Sequence, residues 1–263
     1  MTLRLRTALA AIAAAGIVGP AVAPAMAQDA GPPDLSGTWD NGGGIPFVQP
    51  VQTGANVCLF GCDAPEGGIA AATARPLPPE RPSYKPEYAA TVEDLDTRQV
   101  EEDPVLRCMP PGVPRIGPPD KVVQTPTEVV FLYEDVSGPF FRVIPIDGRG
   151  HREDIGETAL GDSIGWWEND TLVVETINLT DDTWLTDDGA FHTGDLRVVE
   201  RLRLVDDQLE WTATSEDPEV LAEPWTLRPR LAERADWEIT VSPPCVERDL
   251  EHMADMTSHD NPR

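Results

Sequence analysis

The stretch Leu196–Val205 (LRVVERLRLV) constrains the fold more than any other part of the chain. Side chains alternate across an extended strand. Leu196, Val198, Glu200, Leu202 and Leu204 therefore share one face, and Arg197, Val199, Arg201, Arg203 and Val205 share the other. Three arginines mark the second face as the wet one, which leaves Glu200 among four aliphatic side chains. A carboxylate in such a place must be paired, hydrogen-bonded or raised in pKa. Arg142 stands in the same position on another strand pattern, Phe140–Ile146, where it shares a face with Phe140, Ile144 and Ile146. One inward acid and one inward base suggest a pair. Two readings follow: a structural ion pair, the usual condition of buried charges, or two polar groups lining a ligand cavity.

Around these two stretches the patterns are those of strands at hairpin spacing. Glu128–Glu134 is a short, nearly continuous apolar run. Gly165–Thr176 folds back through Glu168-Asn169-Asp170, and Leu196–Val205 pairs with Leu209–Thr214 through Asp206-Asp207-Gln208. Trp225–Leu231 and Trp237–Val241 alternate as well. One helix is expected over Lys85–Glu101, which has a proline near its first turn and is stopped by Asp103-Pro104. The expected fold is mainly β: an antiparallel meander closing into a lipocalin-like barrel, since closure removes exposed edges. The division is a leader over 1–27, an arm rich in proline and glycine over 28–125 that wraps the barrel and includes a first strand near 34–40, a β-barrel over 126–247, and a polar tail over 248–263.

The first 27 residues read as a secretory leader: Arg4 and Arg6, an apolar run from Ala8, and the cleavage pattern Ala25-Met26-Ala27. A periplasmic or extracellular protein is expected, cleaved after Ala27, with no membrane insertion. In an oxidising compartment four cysteines suggest two disulfides. Three pairings are possible, and Cys58–Cys62 with Cys108–Cys245 is favoured. Forty-six acidic against 20 basic residues leave a net charge of −26. That repels phosphate backbones, so nucleic acid is not an expected partner.

Chemistry concentrates after the strand ending at Ile146. Asp147-Gly148-Arg149-Gly150 is turn chemistry, and it delivers His151, the side chain best suited to proton transfer near neutrality. His151, Glu200, Arg149 and His192 are the candidate catalytic groups. Arg142, Asp147, Trp167 and Trp184 are the candidate ligand contacts. The acidic loop Thr180–Asp195, which carries Trp184 and His192, lacks calcium-loop spacing and reads as solvated. Gly161-x-Ser163-x-Gly165 is not followed by a helical pattern, so Ser163 is discounted as a nucleophile. No phosphate loop or dinucleotide fingerprint occurs, and no cofactor or metal is expected.

Ser36-Gly37-Thr38-Trp39, Asp147-Gly148-Arg149-x-His151, Gly161-x-Ser163-x-Gly165-x-Trp167-Glu168-x-Asp170-Thr171-Leu172-Val173-Val174 and Glu200-Arg201 together resemble a large group of secreted bacterial proteins common in acidobacteria and sphingomonads. The resemblance implies a secreted, lipocalin-like β fold and little about chemistry. The first functional expectation is an acid–base enzyme, a lyase, isomerase or cofactor-free hydrolase, acting on a small, largely apolar or neutral molecule in the barrel. The alternative is a periplasmic binding protein for a hydrophobic small molecule. A third is an interaction module with a plugged core.

Overall fold

The computed structural model describes residues 31–41, 81–241 and 245. The leader, the Cys58–Cys62 pairing and the polar tail lie outside them. Within them the chain is β-rich. Ten strands run as β1 Gly37–Asp40, β2 Lys121–Gln124, β3 Glu128–Asp135, β4 Gly138–Pro145, β5 Asp162–Glu168, β6 Thr171–Ile177, β7 Arg197–Val205, β8 Gln208–Glu216, β9 Trp225–Thr226 and β10 Arg230–Arg234. The helix α1 is Ala89–Thr97, with a single 3-10 turn before it and a short helical turn, Gln99–Glu102, after it. No helix among the described residues is long and apolar enough to cross a membrane.

The strands form one nearly closed barrel in the order β4-β3-β2-β1-β10-β8-β7-β6-β5, with β9 beside β8. Every pairing along this path is antiparallel. The path holds nine strands, so its two ends, β4 and β5, run parallel to each other. This explains the length of the link between β4 and β5. Antiparallel neighbours can be joined by two residues, whereas parallel strands need a crossover of a dozen or more. The tight links are Val136-Ser137, Asn169-Asp170 and Asp206-Asp207, and the last two carry positive φ, at Asn169 (57°), Asp206 (50°) and Asp207 (66°), which favours two-residue hairpins. The crossover is residues 146–161. It contains the whole Asp147–Arg152 cluster.

The inward side chains form layers. Ser163, Thr176, Val198, Ser215 and Trp225 lie across one level, Gly165, Val174, Glu200 and Ala213 across the next, and Trp167, Leu172, Leu202 and Trp211 across the third. On the other wall Val122, Phe131 and Arg142 are cross-strand neighbours. Trp39, Phe131, Ile144, Leu202 and Trp211 are all fully buried, so the interior is a packed core.

Four expectations need correcting. Trp225–Leu231 is not one strand: β9 and β10 both follow β8, but the register moves by one residue between Thr214↔Thr226 and Trp211↔Arg230. The extra residue falls around Pro229, which has no N–H to give the ladder. One inserted residue reverses facing, so Leu231 is exposed and Ala232 is buried. Trp237–Val241 forms no strand, and Trp237 and Val241 are exposed. The arm does more than wrap: β1 and β2 are central strands, and residues 111–119 are buried throughout. Asp103 and Arg115 form a bidentate buried pair at 2.7 Å on both arms of the guanidinium. The acidic loop is not solvated either. Trp184, Leu185, Ala190 and His192 are buried in it, and Tyr84 stacks on Phe191.

Cys108 and Cys245 are bonded, as favoured from the sequence. The link ties the arm to the chain beyond β10 across 137 residues. Closing so long a loop restricts the unfolded chain strongly. Replacing both cysteines by serine is expected to cost about 2–4 kcal/mol, read as a lower midpoint in urea.

Candidate functional site

The ladder stops at β4 and β5, and side chains join them instead. Arg142 on β4 is 4% exposed and Glu200 on β7 is 0% exposed. Arg142 Nη2 donates to Glu200 Oε2 at 2.6 Å, to Thr176 Oγ1 on β6 at 2.7 Å and to Ser163 Oγ on β5 at 3.0 Å. Its Nη1 donates to Tyr133 Oη on β3 at 3.2 Å. The second oxygen of Glu200, Oε1, accepts from Trp211 Nε1 at 3.0 Å. One guanidinium thus links β4 to β3, β5, β6 and β7. Burial works to lower the pKa of Arg142, but Glu200 beside it more than offsets this and holds the pKa above its ordinary value. Burial pushes the Tyr133 hydroxyl up, so it stays a neutral acceptor. Between the two sequence readings of Glu200, its surroundings are those of a structural pair: neither oxygen is turned to open space.

A cleft of 560 Å³ lies in the seam between β4 and β5. Phe141, Val143 and Pro145 line it from β4, and Ile164 with Leu160 from β5 and its approach. Arg142 and Ser163 line it from the seam, and Arg149, Gly150 and Arg152 from the crossover. Phe141 and Val143 face outward, at 65% and 48% exposure, because Arg142 between them faces inward. Gly165, without a β-carbon, lets Ile144 and Ile146 close on β5: a β-carbon there would meet their methyls at 3.0 and 3.1 Å.

The crossover is folded down onto β5 by the first residue of that strand. Asp162 accepts the Arg152 backbone N–H at 3.0 Å and Arg152 Nε at 2.8 Å, and it meets His151 Nδ1 at 2.9 Å. Burial pushes the Asp162 carboxyl up, but these hydrogen bonds bring it below its ordinary value. The other ring nitrogen of His151, Nε2, lies 3.2 Å from Glu175 Oε1. Glu175 in turn takes Arg197, which also reaches Glu216 at 3.0 Å. His151 is therefore the end of a charged row on the outer face of β6, β7 and β8. Asp147 and Arg149 pair locally at 2.9 Å in the exposed turn. Arg149's hydrogen bonds hold Asp147 down at about 2.

The structure brings Arg142, Arg149 and the neighbours of His151 to one cleft, and leaves the other candidates outside its lining. His192 is buried between Thr183 Oγ1 (2.8 Å) and the Thr193 carbonyl (2.9 Å), and burial lowers its pKa. Trp184 packs under Arg115. Trp167 sits in the third layer with its Nε1 buried and unpaired among the described residues. Arg152, Asp162, Phe141 and Val143 were missed as site residues. Arg152 was visible as part of an ionisable cluster, but its partner depends on where the crossover lands. No group of three or more metal-binding side chains occurs among the described residues.

A smaller cavity of 80 Å³ is lined by Asn41, Asp120, Tyr133, Glu134, Asp135 and Arg230, with two further residues. Asp120 accepts the Glu134 backbone N–H at 2.6 Å. Burial, with Glu134 and Asp135 adding repulsion, pushes its carboxyl up to about 6.

Comparison with known proteins finds no matching family model, no matching curated protein and no matching solved structure. The fold and the seam define a class, a nearly closed antiparallel β-barrel with a lateral cleft, and the site has to be read on its own chemistry.

Two outcomes follow from these contacts. Glu200→Gln leaves the Arg142 charge buried without its counter-ion and is expected to cost about 3–5 kcal/mol, whereas Arg142→Met with Glu200→Gln together costs less than Glu200→Gln alone; chemical denaturation of the two variants checks this. For Asp120 the folded carboxyl holds its proton to higher pH than the unfolded one, so its contribution to stability is present in acid and is lost as pH rises from about 4 to about 6. Asp120→Asn, measured against the parent by thermal melting, is expected to gain relative stability over that window, by about 1–3 kcal/mol at pH 7.

Proposed function

We propose that this is a binding protein for a small, largely apolar molecule, held in the seam cleft between β4 and β5. The observation that carries the reading is the cleft itself: 560 Å³ of space with apolar walls at the one place where the ladder is not closed. Ligand sites commonly measure about 300–1,000 Å³ and combine hydrophobic walls with a few placed polar groups. Here the walls are Phe141, Val143, Pro145, Leu160 and Ile164, and the polar groups are Arg142, Ser163, Arg149 and Arg152. A leader cleaved after Ala27 would set this binding in the periplasm or outside the cell, where a soluble carrier of poorly soluble molecules has a use.

An acid–base enzyme working on the same molecule is the second reading. It is favoured by the position of His151 between two residues that line the cleft, Gly150 and Arg152. Two contacts weigh against it. Both ring nitrogens of His151 face carboxylates, and both oxygens of Glu200 are taken by Arg142 and Trp211. Neither group is free to exchange a proton with a bound molecule. Ser163 is bonded to Arg142 and to Thr176 at 2.9 Å, with no base beside it.

The neutral fluorescent probe N-phenyl-1-naphthylamine is expected to bind with saturation at one site per chain. Phe141→Asp or Ile164→Asp should weaken that binding at least tenfold by placing a charge in the apolar wall. Val136→Asp, in the exposed β3–β4 turn, should not change it. Absence of saturable binding, or equal binding by all three variants, would refute the proposal.

A further inference from the structure

We infer that the molecule taken up at the seam is electrically neutral and presents an acceptor oxygen, as a ketone, ester or lactone does, and is neither a carboxylate nor an amine. The inference rests on the seam being the binding site, and it adds the ligand's polar chemistry.

Counting charge separately from hydrogen bonds leads to it. Three arginines line the cleft, which at first suggests an anion site. Yet each carries its own carboxylate: Arg142 has Glu200 at 2.6 Å, Arg149 has Asp147 at 2.9 Å, and Arg152 has Asp162 at 2.8 Å. Glu128 lines the cleft as well. No positive charge is left over, and the whole chain stands at −26. A carboxylate entering an apolar cleft would give up its water without gaining a counter-ion, which is a large cost.

Hydrogen-bond donors are left over, however. Arg142 adds none, because its Nε, though without an acceptor among the described residues, is buried away from the cleft's open space. Arg152 uses its backbone N–H and its Nε on Asp162, and no described residue takes its terminal amino groups, although the side chain is 62% exposed. A ligand that covers these amino groups without accepting from them costs about 1–3 kcal/mol. An ammonium group brings only more donors, so it cannot relieve this. A carbonyl oxygen brings two lone pairs and no charge. Charge balance with an excess of donors therefore selects a neutral acceptor, and the apolar walls select the hydrocarbon body attached to it.

The experiment uses the whole chain and displaces N-phenyl-1-naphthylamine at pH 7 with three eight-carbon competitors of matched length: 2-octanone, octanoate and octylamine. The ketone is expected to displace the probe at a concentration at least tenfold below the other two. With the carbonyl carbon labelled, its infrared stretch should move to lower frequency on binding than in hexane, which reports a donated hydrogen bond. If the probe binds but octanoate or octylamine displaces it as well as the ketone does, or the carbonyl band stays at its hexane position, the inference is overturned while the binding site stands. If the probe does not bind, the site and the inference fall together.

Discussion

The fold depends on a guanidinium standing in for a missing ladder. Nine strands joined by antiparallel pairings end with two parallel neighbours, and between those two no backbone pairing forms. Arg142 spans the gap from the inside. It reaches β5, β6 and β7 through Ser163, Thr176 and Glu200, and β3 through Tyr133. An arginine suits this task because its rigid fork offers several donors in one plane. The position requires Glu200, since a lone buried charge could not be held there, and Glu200 requires Trp211, since its second oxygen is fully buried. Phe131 lies under the guanidinium at 5.7 Å. Such a pair is a weak source of net stability compared with apolar packing. Its value lies in specificity: among the alternative registers of β4 against β5, this one satisfies both charges.

How far the sequence reveals this can be traced residue by residue. Glu200 and Arg142 were legible because parity needs only one strand at a time, and both fall on the apolar faces that alternation assigns them. The hairpins were legible because Asn-Asp and Asp-Asp turns are local. What was hidden depends on pairing between distant segments. Trp211 was visible as an inward residue, but its bond to Glu200 appears only once Leu202 is set opposite it. The displaced register near Pro229 reverses the facing of Leu231, which strict alternation puts on the same side as Trp225. The loop Thr180–Asp195 looks solvated by composition, yet its tryptophan, histidine and leucine go inward while Asp188 finds Arg81. Composition averages over a segment, and burial is decided one side chain at a time.

The location of the cleft follows from the same parity. The sequence suggested a hollow barrel with Glu200 facing its lumen, as in lipocalin-like folds. The inward layers instead fill the interior with Trp39, Phe131, Leu202 and Trp211. The 560 Å³ cleft lies where strands do not pair. At the seam, Phe141 and Val143 of β4 have no strand on their open side, and the crossover lies over the gap because a parallel link has to be long. The loop cluster read from sequence as catalytic is there for a topological reason: it is the segment that must travel from the end of β4 back to the start of β5.

That origin also explains why the cluster is charge-balanced. A crossover not held by a ladder has to be fastened by side chains, and Asp162, the first residue of β5, fastens it through His151 and Arg152. Asp162 and Asp147 are thus engaged in holding the crossover in place. What they leave toward the cleft is the terminal edge of Arg152, a donor without spare charge. A structural requirement, closing an odd-numbered barrel, in this way sets the chemical character of the seam cleft: greasy walls, no unpaired cation, and a donor of hydrogen bonds at Arg152.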